Sequence, residues 1–348
     1  MKKYMLIMAM LVSSLAAMAQ EEKDTVVITL HDGTEVRYTS DQFDRVQIIY
    51  NLKYGVKVYL KDGKSKDYLA QKVVVAEYHG GGGDVTDLNR NRNLYRAKLL
   101  EYPHLAADST MNQLIIKSTD DYGITYSLEW SYADKANRWT CYQMHAGNSM
   151  KNVTRKDAFR EDTEIPVQYR SKLSDYSGSG FSRGHLCPSA DRLCSQEQNS
   201  QTFFLSNMQP QYQNHNNGLW ARLEDKIRVW ADKCDTLYVV KAATIRSDQI
   251  LDVKCNDRLI VPKYFYMAVL AYDKATNEYT AMGLWTEHRD ITDSNKNLGD
   301  YAITIDELEE RTGIDFFCNL PDGIEDKVEM KAIDFSYWGI TTNRVGGK

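Results

Sequence analysis

Three short segments concentrate the side chains that could do chemistry. They are Phe181-Ser182-Arg183-Gly184-His185-Leu186, Leu205-Ser206-Asn207-Met208-Gln209-Pro210-Gln211, and the stretch from Asn216 to Arg228. In the first, a histidine with an ordinary pKa near 6.5 is a natural base for activating water at neutral pH. Arg183 offers a planar fork to phosphate-like oxyanions, and Gly184 allows the backbone to approach a substrate closely. In the third, helical spacing places Leu219, Trp220, Leu223, Ile227 and Trp230 on one apolar face. Asn216 lies on the axis of that face in the first turn, with Glu224 and Arg228 four residues apart on its shoulder. An amide oxygen at the head of a helix, with a carboxylate nearby, suits Mg²⁺, which keeps most of its own waters. Each feature has a plainer alternative. Asn216 could be an N-cap. Glu224 with Arg228 could be a surface ion pair of little worth. Arg-Gly-His could be a turn around a structural histidine. His31, His79, His104, His145 and His288 lie in no comparable setting, and His215 stands out only by adjoining Asn216.

A second motif overlaps the first. Gly180-Phe181-Ser182-Arg183-Gly184 fits G-x-S-x-G, the nucleophile elbow, which needs a strand before its serine and a helix after it. Here a Ser/Gly-rich loop precedes Ser182 and Pro188 follows six residues on, so a serine nucleophile is disfavoured.

The rest of the chain must position these segments. Its 348 residues, 43% hydrophobic and 26% charged, exclude a disordered, collagenous or multi-span membrane protein and favour two domains. The net charge of −5 draws no polyanion globally, so an anion site would be a local basic patch. Residues 1–19 read as a signal peptide. Lys2 and Lys3 precede the apolar Tyr4–Met18 stretch, and Ala17-Met18-Ala19 is a cleavage signal. The expectation is an exported protein, periplasmic or secreted, with no membrane association after cleavage and a net charge near −7. Six cysteines permit three disulfides, and Cys187 and Cys194 are close enough in sequence to bridge. No C-x-x-C pair indicates zinc.

Residues 20–79 carry two repeats of strand, Asp-Gly turn, strand and tyrosine (Asp32-Gly33 with Tyr38, Asp62-Gly63 with Tyr68), which predicts a small all-β module. A linker over residues 80–93 follows, opened by Gly80-Gly81-Gly82-Gly83. No second break appears over 94–348. There, strand-like runs (Ile124–Trp130, Trp139–Met144, Leu237–Val240, Tyr264–Leu270) mix with helical spacing over 216–233 and 305–311, without strict alternation, so the class is α+β.

Taken together, the three segments resemble the DNA/RNA non-specific endonucleases of the ββα-metal type. Ser182-Arg183-Gly184-His185 resembles that family's Asp-Arg-Gly-His, and Asn216 with Trp220-Ala221-Arg222-Leu223-Glu224 resembles its metal helix. Arg155, Phe159 and Asp162 upstream, and Thr312-Gly313-Ile314-Asp315-Phe316-Phe317 with Leu320-Pro321 downstream, also match. The resemblance implies a ββα-metal (His-Me finger) fold, with a mixed or antiparallel sheet and flanking helices. It implies DNA and RNA as substrates and Mg²⁺, or Mn²⁺, as cofactor. It makes His185 the general base, Asn216 the metal ligand, and Glu224 the residue that orients metal-bound water. Arg183, Arg155 and Arg228 become phosphate clamps, with Asn207 and Ser182 in support. Three departures stand out: Ser182 for Asp, Cys187 for a small residue, and Lys241-Ala242-Ala243 for a Gly-containing turn. None touches the base or the metal ligand. The competing reading is a non-catalytic nucleic-acid or surface binder on a degenerate nuclease fold. A binder has no need to keep His185, Asn216 and Glu224 together. A homodimer and an inhibitor protein stay open as partners.

Overall fold

The computed structural model describes residues 25–30, 34–48, 56–68, 73–79, 91, 97–106 and 110–344. The expected signal peptide, the Gly80–Gly83 run and the first Asp-Gly turn lie outside them. Contacts divide the chain into two compact units, Met1–Leu88 with Arg92–Ala97, and Asn89–Asn91 with Lys98–Lys348.

In the first unit β1 (Thr25–Leu30), β2 (Glu35–Thr39), β3 (Phe43–Ile48), β4 (Val56–Leu60), β5 (Ser65–Tyr68) and β6 (Val73–His79) form two antiparallel sheets, ordered β2-β1-β6 and β3-β4-β5. Alternation puts Val26, Ile28, Val56 and Val58 inward, and with Tyr38 they make one core. The first repeat supplies the β1-β2 hairpin to one sheet and the second the β4-β5 hairpin to the other, and the equivalent tyrosines, Tyr38 and Tyr68, meet at their hydroxyls, 2.5 Å apart. Gly63 closes the second hairpin at φ +82°, a conformation that favours glycine.

The second unit continues through β7 (Asn112–Thr119), β8 (Gly123–Ser131), β9 (Ala136–Met144), α1 (Leu173–Tyr176), β10 (Ser182–His185), α2 (Gln196–Gln201), β11 (Met208–Gln211), α3 (Gln213–His215), α4 (Ala221–Ala231), β12 (Thr236–Ala243), β13 (Ile250–Cys255), β14 (Leu259–Pro262), β15 (Tyr264–Asp273), β16 (Glu278–Glu287), β17 (Ala302–Ile303), α5 (Ile305–Thr312), α6 (Asp322–Glu329) and α7 (Phe335–Trp338). Seven strands form one antiparallel sheet, ordered β17-β16-β15-β12-β9-β8-β7. β10 pairs with β11 and β13 with β14 as separate hairpins. The fold is α+β, as expected, with the large sheet antiparallel.

The central strands are apolar on both faces because both are covered. Phe265 of β15 packs on Trp220, with ring centroids 5.3 Å apart. Its neighbour Tyr266 points the other way, toward Phe316 at 6.1 Å. Leu223, Ile227 and Trp230 of α4 therefore share a core with Val239, Met267 and Val269 on one face. On the other, α5 and α6 lie against β16. Thr304 caps α5 by accepting from the Glu307 N–H, and Gly313 ends it at φ +68°. The Trp230 indole donates to the Trp338 carbonyl at 2.6 Å, pinning α4 to α7. All six cysteines carry free thiols, so Cys187 and Cys194 do not bridge.

Candidate active site

β10 and β11 pair in the register Ser182↔Gln211, Arg183↔Pro210, Gly184↔Gln209 and His185↔Met208. Helix follows at once, from α3 through a π-turn at Asn216–Trp220 into α4. This is the expected ββα unit. The helix starts at Gln213, three residues before the expected position. The backbone N–H of Asn216 already donates to the Tyr212 carbonyl at 2.9 Å. Asn216 is thus inside the helix (φ −58°, ψ −51°) and is not a cap. Among the described residues nothing hydrogen-bonds its side-chain amide. π-turns of this kind are frequent at functional sites.

Gly184 has a different purpose from the one its neighbours imply. A Cβ there would lie 2.2 Å from Gln211 Oε1 and 2.8 Å from Gln211 Cβ. The partner strand, and no substrate, demands the glycine. Gln211 begins a buried relay. Its Nε2 donates to His215 Nδ1 at 2.6 Å, His215 Nε2 to Thr286 Oγ1 at 3.2 Å, and Thr286 Oγ1 to the Phe265 carbonyl at 3.0 Å. Beside it, His288 Nδ1 donates to the Pro262 carbonyl at 2.8 Å, and its Nε2 accepts the Tyr212 N–H at 2.7 Å. These two histidines lock the turn between β11 and α3. Burial pushes the pKa of His215 down to about 3 and that of His288 to about 4, so both are neutral. Nothing in the sequence marked His288, and only adjacency to Asn216 marked His215.

A cleft of about 850 Å³ is lined by Arg155, Ser182, Arg183, His185, Asn216 and Glu224, among others. His185 stands edge-on to Phe203 (5.1 Å, 89°) and tilted against Phe159 (5.7 Å). Its Nε2 is buried without a partner. Among the described residues nothing hydrogen-bonds its Nδ1, and the ring lines the cleft. Burial, then the nearby Arg155 charge, depresses its pKa to about 3, leaving a neutral imidazole able to take a proton. The same two phenyl rings carry guanidinium groups: Arg183 lies 3.8 Å from the Phe159 centroid and Arg155 5.1 Å from that of Phe203. Arg155 also pairs with Asp157 at 2.7 Å, an exposed contact of little worth. Among the described residues Arg183 meets no acceptor.

The loop after His185 is held by Asn207. Asn207 Oδ1 accepts from the Cys187 N–H at 2.9 Å, and its Nδ2 donates to the carbonyls of Cys187 (2.8 Å) and Thr202 (2.9 Å). Asp162 is buried on Lys117 (2.8 Å) and Ser206 (2.6 Å). Ser182 opens β10 instead of closing a strand, and its hydroxyl donates to Gln213 Oε1 rather than to a histidine. The nucleophile elbow is absent.

The plainer alternative for Glu224 and Arg228, a surface ion pair with each other, does not form. Arg228 pairs with Asp191 at 2.8 Å and with Asp225, and it does not line the cleft. It ties α4 to the loop following His185, because the wholly buried Asp191 draws the guanidinium away. Glu224 pairs instead with Lys241, at 3.3 Å. Lys241 is fully buried on β12, with the rings of Tyr142 and Trp220 nearby (5.7 and 5.9 Å). Burial raises the Glu224 carboxyl above its ordinary range, and the Lys241 ammonium opposes that rise. The sequence signal for Lys241 was a lysine in the middle of an apolar strand. The donor set facing the cleft, an amide oxygen and a carboxylate without thiols, fits a hard cation such as Mg²⁺ or Mn²⁺.

A ββα hairpin–helix carrying a neutral histidine, an amide and a carboxylate in one cleft defines a metal-dependent nuclease type of site. The model of the DNA/RNA non-specific endonuclease family matches residues 109–323, and the chain belongs to that family. A nuclease of Nostoc sp. is 30% identical over 228 residues, covering 63% of this chain and 78% of the relative. Nuclease C1 of Cunninghamella echinulata is 32% identical over 208 residues, 56% and 81% of the two chains. The mitochondrial nuclease EXOG of Mus musculus is 26% identical over 267 residues, 73% and 72%. EndoG, solved in complex with EndoGI, shares the fold at a TM-score of 0.50 and 23% identity, over 59% of this chain and 86% of that one. The protein is a hydrolase of the nuclease class.

Three outcomes follow from this geometry. Gly184→Ala will push β10 off Gln211 and lower both melting temperature and nuclease activity, measured by calorimetry and substrate cleavage. Lys241→Met will destabilise the fold by about 1–3 kcal/mol by leaving the partly buried Glu224 carboxylate without its cation. Adding Glu224→Gln will restore at least half of that loss in chemical denaturation. His288→Gln removes a group whose folded pKa is depressed. The stability that wild type holds over this variant is therefore full above pH 6.5 and lost towards pH 4, by about 1.4 kcal/mol per pH unit, read from denaturation curves at each pH.

Proposed function

We propose that this protein is an exported endonuclease that hydrolyses phosphodiester bonds of DNA and RNA, with one Mg²⁺ or Mn²⁺ held at Asn216. The observation that carries the reading is the convergence in one cleft of the Nδ1 of His185, the unpartnered amide of Asn216, Glu224, and the two guanidinium groups of Arg155 and Arg183. His185 Nδ1 takes the proton of the water that attacks phosphorus. Arg183 and Arg155, already seated on Phe159 and Phe203, meet the charge that develops on the phosphoryl oxygens. Asn216 would hold the cation, which would supply Lewis-acid stabilisation to the leaving 3′ oxygen. Glu224, held by Lys241, orients water in front of Asn216. Arg228 acts at a distance by fixing the loop behind His185. The products carry 5′ phosphates. Contacts through phosphate support indifference to sugar and sequence, and they make binding fall steeply with salt on a chain that is net negative. The N-terminal signal pattern supports export to the periplasm or beyond.

The test is cleavage of plasmid DNA and total RNA by the purified protein with Mg²⁺, with chelator, and by His185→Ala and Asn216→Ala. Both substrates will be degraded in Mg²⁺ and spared with chelator, and each variant will lose at least about 100-fold in rate. Retardation of DNA on a gel without cleavage in any metal would instead favour the binding-protein reading.

A further inference from the structure

We propose a second cation site, for Ca²⁺, on the face of the sheet opposite the catalytic cleft, formed by Asp306 and Glu309 of α5 and Glu329 at the end of α6. One carboxylate oxygen from each lies within 4.8 Å of the others. Asp306 and Glu309 stand three apart on one helix, so they share a face. The separation from the cleft follows from β15, where Phe265 faces Trp220 and Tyr266 faces Phe316, just beyond α5.

Glu329 points to a ligand. It is nine-tenths buried, and its Oε1 is sealed from solvent without a hydrogen-bond partner. It also ends α6, where the negative pole of the helix disfavours an anion. A buried carboxylate left like this costs several kcal/mol unless a cation or a proton compensates it. Among the described residues no lysine or arginine pairs with these three carboxylates, and Arg311, on the same helix, turns to Glu307. Glu329 also lies within 4.8 Å of Asp315 and Glu325, which have other interactions of their own and add negative potential.

The chemistry favours Ca²⁺, a hard cation that takes several carboxylate oxygens in a flexible shell, whereas Mg²⁺ asks for a tighter octahedron made largely of water. Asp306 is exposed, so the site has an entry path and room for waters. A cation here would clamp α5 to α6 and stiffen the layer that covers Phe316. This inference does not depend on the chemistry proposed for the cleft.

The test uses the full chain stripped of metal, as wild type, Asn216→Ala, Glu329→Gln and Asp306→Asn. Melting temperatures are read in Ca²⁺, Mg²⁺ and chelator, and CaCl₂ is titrated calorimetrically. Ca²⁺ is expected to raise the melting temperature of wild type and Asn216→Ala alike, and by more than Mg²⁺ does. Glu329→Gln is expected to abolish the shift. Asp306→Asn, an exposed change that spares the fold, is expected to weaken Ca²⁺ binding at least about tenfold, and it decides the matter if Glu329→Gln does not fold. A shift lost in Asn216→Ala but kept in Asp306→Asn would place the ion in the cleft and overturn the proposal. No Ca²⁺ shift in wild type would overturn it too, leaving protons as the compensating charge.

Discussion

Every group proposed to act in the cleft depends on how the start of one helix is held against one four-residue strand. No cap does this. The work falls to the buried relay from Gln211 through His215 and Thr286 to the Phe265 carbonyl, with His288 gripping the Tyr212 N–H beside it. The relay needs both histidines neutral, and their burial keeps them so. It also needs β10 and β11 so close that only glycine fits at 184. Once that joint is set, Asn216 and His185 share a cleft and the π-turn leaves the amide of Asn216 free.

Around the joint, charge is distributed so that each ionised group in the site has a reason to stay in place. Lys241, buried beneath α4, reaches Glu224 from the sheet side and leaves the opposite side of the carboxylate to the cleft. Arg155 and Arg183 rest on aromatic faces, which hold them without neutralising them. Their positive field, added to burial, keeps a proton off His185. Arrangements of this sort are poised for an anionic substrate. They show how a chain with net negative charge can still serve a polyanion.

The sheet separates two kinds of polar burial. On the α4 face, buried charges are paired: Glu224 with Lys241, Asp191 with Arg228, Asp162 with Lys117. On the α5 and α6 face, Glu309 and Glu329 approach each other with no cation to pair them among the described residues. Burying charge costs the same on either side. A compensating ion or proton is therefore required on the second face as surely as Lys241 is on the first.

The sequence alone picked out His185, Asn216 and the helix that carries Asn216. Those depend on local spacing: four residues of strand, and an Asn eight residues before a Glu on one helical face. Local spacing also showed that Ser182 lacked the strand and helix of an elbow. The repeat built on Tyr38 and Tyr68 was legible for the same reason, as two copies of one hairpin. Tertiary structure decided the partners. The i,i+4 geometry offered Glu224 to Arg228, but Asp191 and Lys241, distant in sequence, took one each. Gly184 is fixed by Gln211, 27 residues away, His288 acts on Tyr212 from 76 residues away, and Glu329 meets Asp306 only because two helices pack on β16. Periodicity reports which face of an element is buried. Which charge waits on the other side of that face is set only when the layers close.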